Sequence, residues 1–65
     1  MFEGEWTVWY KAEDNPPHYW EWKAIDEKEL YCFQGSKYVT RAAAKRGWKA
    51  FSRRLGIDRY IEVVL

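Results

Sequence analysis

The 65-residue sequence is poor in the residues from which chemical sites are most often built: it holds one cysteine, one histidine and four scattered glycines. A lone Cys32 excludes an intramolecular disulfide and any multi-cysteine zinc site. With His18 as the only imidazole, no metal-ligand spacing exists either. Gly35 stands by itself ahead of a helical pattern, so no glycine-rich loop is available to cradle a phosphate. Long apolar runs are missing as well. None approaches the roughly 18 residues of a membrane span, and the N-terminus lacks a basic, then apolar leader. The expectation is a soluble, cytoplasmic chain with no membrane partner, no cofactor and no small-molecule substrate.

Aromatic residues are what the sequence has in excess: five Trp, five Tyr and three Phe. A chain this short buries only about 60% of its unfolded surface, and large rings, at roughly 150–250 Å² each, let few residues build a dense core. One small domain over residues 1–65 is expected. The net charge of +1 conceals a division. Residues 1–36 carry three basic against eight acidic side chains, whereas residues 37–65 carry eight basic against two acidic. Such polarity suits a solvated basic helix face, docking between subunits, or a phosphate-contacting surface.

The stretch from Gly35 to Gly56 organises the chain. Thr40 is the best N-cap, since its hydroxyl can accept from a first-turn N–H. Ala42, Ala43 and Ala44 follow as strong helix formers. Gly56 suits the left-handed position that closes a helix, with Ile57 folding back toward Phe51. Between these ends Ala44, Trp48, Phe51 and Leu55 form one apolar stripe at helical spacing. Gly47, costly in a helix interior, makes room for a bulky strand residue. Arg41, Lys45, Lys49 and Arg53 occupy the opposite side, with Arg46 and Arg54 at its margins.

Before the helix, three segments alternate as strands do. Trp6–Ala12 places Trp6, Val8 and Tyr10 on one side and Thr7, Trp9 and Lys11 on the other. The run Glu13–Pro17 breaks it, because successive prolines cannot donate to a ladder. His18–Ile25 sets Trp20, Trp22 and Ala24 against Tyr19, Glu21, Lys23 and Ile25. A charged connection, Asp26–Glu29, leads to Leu30–Gln34, with Leu30 and Cys32 opposite Tyr31 and Phe33. After the helix, Arg59–Leu65 sets Ile61, Val63 and Leu65 against Tyr60 and Glu62. The fold class is therefore α+β: a three-stranded antiparallel sheet packed on one helix, with a C-terminal strand that extends the sheet or swaps to a partner. Under the helix this assignment places Trp6, Val8, Tyr10, Trp20, Trp22, Ala24, Leu30 and Cys32. It leaves Trp9, Tyr19, Ile25, Tyr31 and Phe33 on the outer face as a protein-interaction surface, since exposed aromatic patches mark such sites.

An aromatic W-x-W-x-A strand at Trp20–Ala24, a further strand, and Tyr38-x-Thr40-x-x-Ala43-Ala44 leading a helix together resemble the YegP-like small-domain family. The resemblance spans roughly residues 6–55. It implies a three-stranded antiparallel sheet on one helix, in a unit that occurs as a tandem pair or self-associates, and it implies no established activity. The family's Asn-Gly turn after the second strand is replaced here by the longer Asp26–Glu29. The same layout is similar to the arm-binding domains of phage integrases and to plant ethylene-response DNA-binding domains, which read DNA with the sheet.

Three function classes follow. The first is a non-enzymatic protein-interaction module, a homodimer or the cap of another protein, for instance a phage or mobile-element accessory protein that binds a host factor. The second is nucleic-acid binding through phosphate contacts from Lys37, Arg41, Lys45, Arg46, Lys49 and Arg53. Against it, the sheet half is acidic, and rings and cations fall on opposite faces. Catalysis is third and weakest, with no catalytic residue to assign: Cys32 is expected in the core, and Glu13, Asp14, Asp26, Glu27 and Glu29 cluster in turns where water solvates them.

Overall fold

The computed structural model describes residues 4–65. The elements run β1 (Trp6–Ala12), β2 (Trp20–Asp26), β3 (Cys32–Tyr38), α1 (Arg41–Leu55) and β4 (Tyr60–Val64). They form a four-stranded sheet in the order β3-β2-β1-β4 with the helix on one face. β1–β2 and β2–β3 are antiparallel, as their short connections require. β4 extends its own sheet, lying parallel to β1 with Trp6 beside Tyr60 and Tyr10 beside Val64. The intervening β2, β3 and α1 supply the long crossover that parallel pairing needs.

Helix α1 has the ends its sequence suggests. The Thr40 hydroxyl accepts from Ala43 N–H at 3.0 Å. Gly56 sits at φ 74°, and the Ile57 N–H donates to the Ser52 carbonyl at 2.9 Å, which turns Ile57 into the core. Ala44 and Trp48 are fully buried. Ser52 is buried beside them, its hydroxyl satisfied by the Lys49 carbonyl at 2.9 Å.

Beneath the helix, Trp6, Val8, Tyr10, Trp22, Ala24, Ala44, Trp48 and Ile57 form the core. Its rings interlock: Trp22 lies 5.2 Å from both Trp48 and Phe51, and Trp48 meets Tyr60 edge-on at 5.2 Å. Gly47 does admit a bulky strand residue. A β-carbon there would collide with the hydroxyl and ring of Tyr38, and one at Gly35 would collide with the Trp22 indole. The two glycines thus frame a Trp22 Nε1–H to Tyr38 hydroxyl bond of 3.2 Å.

The third strand corrects the sequence reading. Leu30 and Cys32 are exposed rather than under the helix, and Phe33 is packed against the core instead of lying outside. Phe33 stacks on Trp6 at 5.8 Å and meets Phe51 at 5.0 Å. The cause lies in the preceding turn. Asp26 Oδ1 accepts from Leu30 N–H at 2.7 Å and Tyr31 N–H at 3.0 Å. Both residues are thereby held in the connection, and β3 begins only at Cys32. Pairing of Ala24 with Phe33 then fixes the face. The strand also runs past Gln34 to Tyr38 through an irregularity in which Trp20 and Trp22 face Tyr38 and Gly35. The extra residue lies at a bulge, where Lys37 takes φ 69°.

Candidate functional site on the open sheet face

Among the described residues, only one face of the sheet is covered. On the other, the alternation of each strand brings a defined set of side chains together. Trp9 lies between Lys23 of β2 and Val63 of β4, and Thr7 lies between Ile25 and Ile61. Trp9, Ile25 and Leu65 line an open groove of about 440 Å³ with Lys11, Glu21, Lys23 and Gln34. Trp9, Ile25 and Val63 are half-buried by their neighbours, whereas Ile61 and Leu65 are 51% and 68% exposed. The result is an apolar strip along β1 and β4, bordered by Lys11 toward the end of β1 and on the β2–β3 side by Glu21, Lys23 and Gln34.

Of the five residues expected on this surface, Trp9 and Ile25 come together in the groove. Tyr19 precedes β2 and is capped by the Lys37 ammonium, 5.4 Å from its ring centre. Tyr31 is exposed in the β2–β3 turn, away from the groove, and Phe33 belongs to the core. The strip is instead completed by Ile61, Val63 and Leu65. Their alternation is plain in the sequence, but nothing there says which strand they join. Cys32 pairs with Ile25 on this open face and is exposed, contrary to the expected core position.

The six expected phosphate-contacting residues divide. Arg41, Arg46, Lys49 and Arg53 are exposed on α1 with no ion pair among the described residues. Lys37 lies 3.8 Å from Glu13, and Lys45 lies 3.6 Å from Glu62. Rings and cations are not wholly segregated either, because Lys11 and Lys23 stand beside Trp9 on the open face.

Lys45 and Glu62 meet at a third place, where α1, β1 and β4 converge over Tyr10. The Lys45 ammonium lies 5.9 Å from the Tyr10 ring centre. The Tyr10 hydroxyl is wholly buried, near the Glu62 carboxylate without a hydrogen bond of good geometry. Burial first, then the Glu62 carboxylate, push this phenol far above its ordinary value of about 10. The group is therefore held neutral.

His18 and Cys32 lie at opposite ends of β2 and form no pair. His18 Nδ1–H donates to the Glu13 carbonyl at 2.9 Å and closes the β1–β2 loop. Among the described residues no three His, Cys, Asp or Glu side chains gather as a metal site requires, and no helix is long and apolar enough to cross a membrane.

No protein-family model, curated protein or solved structure matches this chain.

Proposed function

We propose that the chain is a non-enzymatic protein-interaction module that self-associates through the uncovered side of its sheet. One observation carries this reading: Trp9, Ile25, Ile61, Val63 and Leu65 lie together on a face that no other element among the described residues covers. Apolar strips bordered by polar side chains are the usual make-up of a protein interface, with a dry centre and a wet rim. In this reading the chain works in the cytoplasm without a cofactor or substrate. Its resemblance to YegP-like small domains, which self-associate or pair in tandem, points the same way.

Sedimentation velocity over a wide concentration range, in low and high salt, tests it. A dimer that salt does not dissociate, and that Trp9→Glu weakens while leaving the fold intact, is the expected result. A wild-type chain that stays monomeric at every concentration removes the self-association reading.

The exposed cations Arg41, Arg46, Lys49, Arg53 and Arg54 of α1 favour a second reading, in which the helix binds a nucleic-acid backbone. Such contacts position a protein without reading sequence, and they weaken steeply with salt. Fluorescence anisotropy with mixed-sequence oligonucleotides separates the two readings. Salt-sensitive binding that is lost in the Lys49→Glu, Arg53→Glu double variant would put nucleic acid first.

A further inference from the structure

The two edges of the sheet differ in how they are protected. At the β3 edge the strand is bulged, Lys37 is at φ 69°, and the exposed side chains are Cys32, Gln34, Ser36 and Lys37. Bulges and lysines are the standard means of preventing edge-to-edge pairing. β4 has neither. It reads Tyr-Ile-Glu-Val-Val, without proline, lysine or bulge, and its one charge, Glu62, already has Lys45 of α1 at 3.6 Å.

Backbone direction along β4 follows from two hydrogen bonds. The Arg59 carbonyl accepts from Trp6 N–H at 3.0 Å, and Leu65 N–H donates to the Tyr10 carbonyl at 2.9 Å. Odd-numbered residues of β4 therefore turn their backbone groups toward β1. Those of Tyr60, Glu62 and Val64 point away from the sheet. Helix α1 packs over β1, β2 and β3 and reaches β4 through Trp48 at Tyr60 and Lys45 at Glu62, short of Val64, which on the helix side is 49% exposed, much like Ile61 on the other. An edge of this kind is complemented by one more strand.

We propose that this strand is β4 of a second copy of the chain, paired antiparallel about a two-fold axis at Val63. The proposal rests on the self-association reading above and moves the contact from the open face itself to the β4 edge beside it. Register selects the axis. An axis at Glu62 sets two carboxylates directly opposite, which is unfavourable. With Val63 on the axis, Ile61 faces Leu65 of the other copy, joining the two most exposed apolar groups of the outer face. Glu62 then faces Val64. The central row of the joined sheet becomes Trp9, Val63, Val63 and Trp9, so the two apolar strips merge. Because the pairing is two-fold and the β3 edges are protected, assembly stops at two copies.

Val63 would occupy a non-hydrogen-bonded site, where opposing Cα atoms are about 4.5 Å apart and within disulfide range. In a Cys32→Ser background, Val63→Cys should cross-link into a covalent dimer on mild oxidation. Ile61→Cys should not, because its two copies would lie roughly 13 Å apart along the strands. Independently, Val64→Pro removes an outward N–H while sparing the β1 ladder, and should give a folded monomer by circular dichroism and sedimentation. If Val64→Pro fails to fold, the cysteine pair alone decides. A wild-type dimer in which Ile61→Cys cross-links instead, or neither cysteine does, overturns this pairing and leaves self-association standing. A wild-type monomer overturns both.

Discussion

Gly47→Ala is a substitution for which local and tertiary physics give opposite signs. Alanine is favoured over glycine in a helix interior by about 1 kcal/mol, and residue 47 is in the middle of α1. Against this, the added carbon would overlap the hydroxyl and ring of Tyr38. That ring is half-buried and held by the Trp22 Nε1–H bond at 3.2 Å, with Gly35 on its other side. Overpacking of this kind costs typically about 1–3 kcal/mol, and loss of the Trp22–Tyr38 bond adds about 1 kcal/mol. The sum favours destabilisation by about 1–3 kcal/mol, a fall in Tm of roughly 4–24 °C for a domain of this size. Urea denaturation followed by tryptophan fluorescence measures it. The control is Tyr38→Val, in which the same Gly47→Ala change should stabilise by about 0.5–1 kcal/mol, since only the propensity effect remains. If Gly47→Ala stabilises the wild-type chain, the Tyr38 ring yields freely and the close-approach argument is wrong.

Two further predictions concern groups the sequence understates. Asp26→Ala should cost about 2–3 kcal/mol, because the Leu30 and Tyr31 N–H groups lose a charged acceptor; chemical denaturation that finds less than about 0.5 kcal/mol, the ordinary range for surface changes, would contradict the turn. Tyr10 gives a pH dependence whose sign follows from its raised pKa. The folded state keeps its proton where the unfolded chain releases it, so this contribution is complete below about pH 10 and is lost as pH rises beyond it. Stability curves from pH 8 to 11 should fall less steeply for Tyr10→Phe than for wild type, and parallel curves would refute the assignment.

Much of the fold was legible because three signals agreed. Trp6–Ala12 alternates without interruption and occupies the stated strand. Thr40 and Gly56 bracket α1 by their capping chemistry, and the Ala44–Trp48–Phe51–Leu55 stripe meets the sheet. The third strand was harder. Its face depends on one aspartate that reads as part of a charged turn, and on a bulge after Gly35 that looks like a strand end. Shifting Leu30 and Tyr31 out of the strand exchanges Cys32 and Phe33 between faces, and half of the expected aromatic surface disappears with them. Trp9 and Ile25 lie on the outer face because the alternation of β1 and β2 alone sets their side. Val63 and Leu65 join them through the β1–β4 pairing, a long-range contact that no local pattern encodes.

That pairing also orders the assembly of the molecule in time. β1, β2 and β3 are joined by short connections, and α1 follows directly, so their contacts close small loops. Trp6 and Tyr60, by contrast, must close a loop that takes in β2, β3 and α1. Loop-closure entropy makes such distant contacts the slow ones to form. Until β4 docks, β1 is itself an edge strand, with the N–H and C=O groups of Trp6, Val8 and Tyr10 waiting for a partner. Docking of β4 thus exchanges one unpaired edge for another that persists in the finished fold.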